Sequence, residues 1–425
     1  MRFLNILGLM VSIFLISCKA THKIVQKQDQ SVIYKPGKVA LHPEYLVFHL
    51  NDTASQLLVK LITDELLFNQ ANPENQMQAA IKISYQLIDI TTDPNNKAID
   101  DSTTLFRTID KSATKRINIT TLIIKARLGK EYLLKVSIVD VLHNISQQNF
   151  VYVHKQSRYS AQNYKLLYRI NDAPVFRSYI LPDEVVRVMT NRPDARKIYI
   201  RYQKDNTPLP PPPFSVQVEP KFLFKTDSIW SYNYSKQQGF IFPYKGFYLI
   251  QTDTSQNDGL FIANYGRAFP KVKEAPPMIP PLEYITTTEE FRNLQKGDNK
   301  KLTVDNYWLN MTSNVELARQ LIRIYYSRLY YANLFFTSYK EGWKTDRGMI
   351  YMIFGPPSFI TKTNSTEIWE YHDKRKVKIF SLNFSKSSTT YSDNHFIMQR
   401  NDSYTPYWRN AVDSWHNGKV YSPED

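Results

Sequence analysis

Three titratable side chains lie close together late in the chain, Glu370, His372 and Asp373, within Trp369-Glu370-Tyr371-His372-Asp373. On a strand, Glu370 and His372 share a face, which sets an imidazole base beside a carboxylate, the grouping a hydrolase or transferase uses for proton transfer. One histidine near two acids is also an ordinary surface feature. The sequence holds no Gly-x-Ser-x-Gly elbow, no Gly-rich phosphate loop and no His-Glu-x-x-His, and its eight histidines are dispersed. The expectation is therefore a protein that is not an enzyme, with no cofactor and no metal.

A different chemistry is written at the start. Arg2 is followed by the apolar run Phe3 to Ile16, which closes on Leu15-Ile16-Ser17-Cys18. The run is too short to cross the ~30 Å hydrocarbon core as a helix, so residues 1–17 read as a signal peptide. Leu-x-Ser-Cys has the form of a bacterial lipobox, in which the cysteine thiol is acylated and becomes the first residue after cleavage. Two or three acyl chains together hold a protein on a bilayer. Cys18 is the sole cysteine, so neither a disulfide framework nor a thiolate metal site is available. The chain is expected to be anchored to lipid through acylated Cys18.

Composition points to globular, basic bodies. Hydrophobic residues make up 42% and charged ones 22%, enough to build ordinary cores, and the formal charge is +15. That field favours anionic surfaces such as lipid headgroups, acidic glycans or acidic protein faces. No RNP, zinc-finger or helix-turn-helix pattern supports a nucleic-acid partner.

The elements that must position these residues fall into three bodies and two ends. Residues 18–38 are polar, without helical or strand period, and read as a tether. Residues 39–155 hold short strand-like runs, Tyr45 to Leu50, Ala79 to Ile90, Ile117 to Thr120, Tyr132 to Val141 and Phe150 to Val153, separated by turns such as Asp93-Pro94-Asn95-Asn96. That spacing predicts a β-sandwich. A second sandwich is expected over 156–275, from Ile198 to Tyr202, Phe214 to Val218, Phe240 to Phe242 and Gly246 to Ile250. Pro208-Leu209-Pro210-Pro211-Pro212-Pro213 reads as a stiff loop. Ala275-Pro276-Pro277-Met278-Ile279-Pro280-Pro281 reads as the linker to the next body.

After residue 285 the period changes. Thr286 to Glu289 and Ser313 to Glu316 have the capping-box form and predict two helix starts. Ala318, Ile322, Tyr325, Leu329, Ala332 and Phe336 then make one apolar stripe, with Arg319 and Arg323 off it. Gly342 suits a close backbone approach, Trp343 supplies a large apolar surface, Thr345 and Asp346 bond local amides in a turn, and Arg347 offers a planar fork to a carboxylate. Gly348 leads into Met349 to Phe354, expected as an apolar strand closed by Gly355-Pro356-Pro357. The unit over 282–385 is thus a helix, a corner and a strand. The tail, 386–425, carries Tyr404, Tyr407, Trp408 and Trp415 in a polar setting, either to anchor a partner or to fold back on the domain.

The ordered set Tyr331-Ala332-Asn333, Phe336, Gly342-Trp343-Lys344-Thr345-Asp346-Arg347-Gly348, Tyr351, Gly355-Pro356-Pro357 and Trp369-Glu370-Tyr371 resembles the signature of the GWxTD domain of bacterial envelope lipoproteins. The resemblance implies an α+β domain, a source among the Bacteroidota and no defined reaction. Its motif residues are Gly342, Trp343, Thr345, Asp346, Arg347, Gly348, Tyr351, Gly355, Pro356 and Trp369, which either fix a structural corner or line a recognition cleft with Glu370 and His372. No acid appears between Cys18 and Asp29, so the periplasmic face of the outer membrane is the expected address. The fold expected is mixed and mainly β, two immunoglobulin-like sandwiches followed by a C-terminal α+β GWxTD domain. The function expected is a scaffold or interaction subunit of an envelope complex for outer-membrane protein assembly or secretion. The alternatives are a binder of anionic glycan or peptidoglycan, and an enzyme using Glu370, His372 and Asp373.

Overall fold

The computed structural model describes residues 25–26, 29–38, 40–70, 77–111, 116–217, 219–387 and 389–422. Cys18 and the expected signal peptide lie outside the described residues.

The N-terminal region is mainly β. Glu44–His49, Ser55–Ile62 and Ile117–Ile124 form one antiparallel sheet. Ile99–Asp110, Met77–Asp89, Lys130–Asp140 and Ile145–Lys155 form another, with the two-residue strand Asn69–Gln70 beside Met77 and Gln78. In Met77–Asp89 every second residue from Ala79 to Leu87 is buried, the two-residue alternation that turns one strand face to a core. Those side chains meet Leu57, Val59 and Leu61 of the first sheet in one shared apolar core. Ser55–Ile62 and Ile99–Asp110 were not among the expected strands.

The next region holds a three-stranded sheet of Tyr164–Tyr168, Val186–Thr190 and Gly239–Phe240, and a four-stranded sheet of Ser228–Asn233, Lys197–Gln203, Gly246–Gln251 and Leu260–Asn264. The strand expected at Phe214 to Val218 is not formed over its described residues: Val216 is exposed. The proline run before it spends its carbonyls elsewhere, with Pro211 accepting from Arg400 and Pro213 from the amide of Asn401.

The C-terminal region is mixed α+β. Pro276–Met278 and Pro280–Ile285 coil into short 3-10 turns that bury Leu282 and Ile285, so this expected linker is part of the C-terminal core. Helices α1 (Thr288–Lys296), α2 (Lys300–Thr312), α3 (Val315–Phe336) and α4 (Asp346–Phe354) follow. The first start carries a capping box on Thr287 and Glu290. At α3 the cap is Asn314, while Ser313 takes a left-handed conformation that ends α2. The sheet orders Val25–Gln26, Phe359–Thr363, Thr366–His372, Lys378–Lys386 and Phe396–Met398, all antiparallel. Helix α5 (Thr405–His416) buries Trp408 and Trp415, so of the two readings of the aromatic tail, folding back is the one observed.

Two expectations change here. Met349 to Phe354 is not a strand but the body of α4, in which every residue from Asp346 to Phe354 is buried. A helix enclosed on all sides has no polar face, and a short apolar run of this kind reads equally as a strand. Residues 29–35 are not a loose tether. Asp29 and Gln30 bond the backbone of Ile360, Ser31 and Lys35 bond the carbonyl of Ser358, and Tyr34 enters the C-terminal core against Phe335, Phe336 and Trp369.

Candidate functional site

The Gly342 to Arg347 corner joins α3 to α4 through a 3-10 turn at Gly342–Lys344. A side chain at Gly342 would place its Cβ 2.0 Å from the carbonyl oxygen of Ala332, and one at Gly348 would fall 1.8 Å from that of Gly342. Both glycines are thus required by close backbone contact. Thr345 caps α4: its hydroxyl accepts from the amide of Gly348 at 3.0 Å and donates to the carbonyl of Gly342 at 2.7 Å. Trp343 donates its indole N–H to Glu341 at 3.0 Å, and its amide donates to Asn333 Oδ1.

Behind this turn lie two buried ion pairs. Asp346, fully buried, accepts from the amide of Met398 at 2.7 Å and from Arg400 Nη2 at 2.5 Å. Burial pushes its carboxyl upward in pKa, against the pull of Arg400 and the Met398 amide. Arg347, 1% exposed, donates from Nη1 to Glu367 Oε1 at 3.0 Å and from Nη2 to both the carbonyl and side-chain oxygens of Asn394. Its guanidinium also covers the rings of Phe396 and Phe336, at 4.2 and 5.1 Å from their centroids. Glu367 further accepts from the Trp369 indole at 3.0 Å, the Tyr34 hydroxyl at 3.2 Å and Lys362 at 3.3 Å. Although burial raises its pKa, the charges of Arg347 and Lys362 hold it down at about 2.

The remaining motif residues lock α4 in place. Tyr351 donates its hydroxyl to the carbonyl of Tyr34 at 2.9 Å. Gly355 ends α4 at φ +80°, against the Arg328 guanidinium. Arg328 itself donates to the last carbonyls of the helix, those of Met352 and Ile353. Pro356 follows at the exit, half-buried. Trp369 is fully buried between Phe336 and Phe384.

Asp346, Arg347, Trp343 and Trp369 therefore share one interior. Glu370 and His372 do not join them: on Thr366–His372 the residues Glu367, Trp369 and Tyr371 turn inward, and Glu370 and His372 the other way. They pair with each other at 3.0 Å. Asp373 spends its carboxylate on the amides of Arg375 and Val377 in the following turn. The three do not converge on one reacting position.

Residues without a motif complete the interior. Glu367 could have been found as an acid on the inward face of an alternating strand, in step with Trp369. Arg400 and Asn394, far along the chain, gave no such signal. A second buried group ties in the preceding region: Lys340 pairs with Glu219 at 2.6 Å, Tyr339 donates to the same carboxylate, and His395 bonds Ser338 and Tyr339. Burial lowers the His395 pKa to about 4, so the ring is neutral near pH 7.

A cleft of about 1440 Å³ opens where the three regions meet. Its walls carry Lys60 over the ring of Phe176 and Lys386 over that of Tyr152, the latter at 3.4 Å from the centroid, together with Lys362 and Phe335. Its volume exceeds the ~300–1,000 Å³ of ordinary small-molecule pockets.

Residues 246–417 match the GWxTD domain family. The GWxTD domain of this chain therefore begins ahead of the proline-rich turns, taking in Gly246–Gln251 and Leu260–Asn264, and ends in α5. No curated protein sequence matches the chain. Two solved β-glucuronidase structures from Bacteroides uniformis align over 26% and 33% of the chain at 8% and 10% identity, each with a TM-score of 0.17. The aligned parts are 12% and 15% of those proteins, and a likeness at that level carries no argument about fold or activity.

Proposed function

We propose that this protein is a non-enzymatic scaffold or interaction subunit of an envelope complex, one that serves outer-membrane protein assembly or secretion. In this reading it is a lipoprotein of a member of the Bacteroidota, held by acylated Cys18 on the periplasmic face of the outer membrane, and its first two bodies are sandwiches of the immunoglobulin kind. The observation that carries the reading is the orientation of the GWxTD corner. Arg347 pairs with Glu367, which reaches the N-terminal segment through Tyr34, while Asp346 pairs with Arg400, which links it to the proline run at Pro211. A motif spent on joining segments from distant parts of the chain suits a rigid platform more than a reaction centre.

The test is affinity purification of the intact protein from mildly solubilised membranes, beside a Cys18→Ala control, with mass spectrometry of what accompanies it. Stoichiometric recovery of one outer-membrane assembly is the expected result. Recovery of the protein alone would overturn the scaffold reading. A second reading, a binder of anionic glycan or peptidoglycan, is favoured by the cleft, where lysines lie over aromatic rings. Salt-sensitive cosedimentation with sacculi, lost in Lys386→Glu, is its measurement.

A further inference from the structure

The strand Ile99–Asp110 is the outermost of its sheet: it pairs with Met77–Asp89 on one side, and among the described residues no strand pairs with the other. Exposed sheet edges are ordinarily blunted by short length, proline, charged side chains or a bulge. Ile99–Asp110 runs 12 residues without proline or lysine; its register shift, opposite Leu87 and Ile88, and its charges, Asp100, Asp101, Arg107 and Asp110, lie toward its ends and leave Ser102 to Phe106 uncharged. Phe106 is 68% exposed and Ile99 50%. The edge strand of the facing sheet runs alongside, joined by Arg107 to the Thr120 hydroxyl and by the Lys125 amide to Asp101, and it adds exposed Ile117 and Ile123 to the same side. An open backbone edge thus lies within an apolar border.

We propose that this edge pairs with the same strand of a second copy about a two-fold axis, making one continuous antiparallel sheet. The strand is self-complementary in a way that selects this occupant. Asp101, Leu105 and Ile109 turn toward the core, while Ser102, Thr104 and Phe106 turn out. A two-fold axis normal to a continuous sheet keeps the inner faces together, so each residue must oppose one of like facing. The register centred on Thr104 meets that rule. It sets Asp101 opposite Arg107 twice, Ser102 opposite Phe106 twice and Thr104 opposite its own copy, with no like charges facing, and leaves Ile99, which the bulge turns to the outer face beside Ile88, beyond the paired stretch. The register centred on Leu105 would set Asp100 against Asp110 twice.

The axis gives a sharp test on the full chain in its membranes. Directly opposed antiparallel residues have Cα atoms about 4.5–5.5 Å apart, within disulfide reach. Under mild oxidation Thr104→Cys links to itself as a dimer, whereas Thr108→Cys, which faces Asp100, does not. With purified protein, Thr104→Lys and Thr104→Glu each become monomeric with unchanged melting curves, because Thr104 is exposed, and a one-to-one mixture restores the dimer. Equal crosslinking at 104 and 108, no crosslinking at 104, linkage of Thr104→Cys to a different protein, or a Thr104→Lys variant that remains dimeric would each overturn the proposal.

Discussion

The first β region and the C-terminal domain solve the problem of burial by different means. In the first, the shared core between the two sheets is almost wholly aliphatic, and its buried ionic groups sit at strand ends: Asp140 holds the turn amides of Leu142 and His143, and Lys155 donates to Ala54 and Ser55. In the second, charges lie at the heart of the packing, where α4 meets the sheet, with Asp346 and Glu367 both fully buried. Aliphatic surface gives stability without direction. Buried charge stabilises little by itself but tolerates few alternative partners. The difference teaches that the C-terminal domain is specified by a few pairings, and the β region by pattern.

Breaking those pairings should therefore produce the largest effects. Arg347→Met removes the nearer of two cations from buried Glu367, leaving Lys362, and is expected to cost about 3 kcal/mol in a denaturant melt. Adding Glu367→Leu should recover most of that loss, an outcome that separates pairing from packing. In the first region Leu134→Ala, a plain cavity at a fully buried site, should cost about 3 kcal/mol. No second substitution among its polar neighbours should rescue it.

The glycines sharpen the same contrast. Gly348→Ala meets a backbone oxygen that cannot move cheaply, and about 3 kcal/mol of destabilisation is expected. At Gly129, with φ +86° and no atom within 4 Å of an added Cβ, alanine should cost about 1 kcal/mol, since only the backbone conformation is strained.

The smallest effect falls where the two regions touch. Burial pulls the His154 pKa down, but bonds to Asp393 and Glu131 win and push it up to about 10. A histidine raised in the folded state contributes fully below its ordinary value near 6.5, and the contribution is lost as pH rises toward 10. The melting temperature should fall by a few degrees between pH 7 and 9.5, and less in His154→Gln. Lys386 also touches Asp393, but burial lowers its pKa and its titration acts in the opposite sense. Because Lys386 shares Asp393 with the histidine, the same pair of melts in a Lys386→Met background separates the two.

How far the sequence could be read follows the same division. Strand-like runs between turns revealed Ala79 to Ile90 and Tyr132 to Val141, which fall on Met77–Asp89 and Lys130–Asp140, and the three- and four-residue spacing from Ala318 to Phe336 revealed α3. Ile99–Asp110 carries no strand signal, because an edge strand exposed on most of its length has Ser, Thr and Asp where a paired strand would be apolar. Met349 to Phe354 reads as a strand although it is helical, because burial on every side erases the period. Gly342, Thr345 and Gly348 were legible as a turn, since their constraints are local. Arg400, Asn394 and Tyr34, the partners of Asp346, Arg347 and Tyr351, were not, since a long-range pairing leaves no mark on spacing.

The seat of the N-terminal segment bears on how this chain reaches its final form. Tyr34 bonds Glu367, 333 residues later, and Val25 and Gln26 supply the edge strand of a sheet whose other members all follow residue 358. At ~5–20 residues per second of synthesis, roughly 17–70 seconds pass before that seat exists. The C-terminal domain is closed by the part of the chain made first. Proteolytic trimming or a fusion placed near residue 30 would therefore weaken the far end of the molecule, while the adjoining β region loses only peripheral bonds such as that of Gln147 to Gln30.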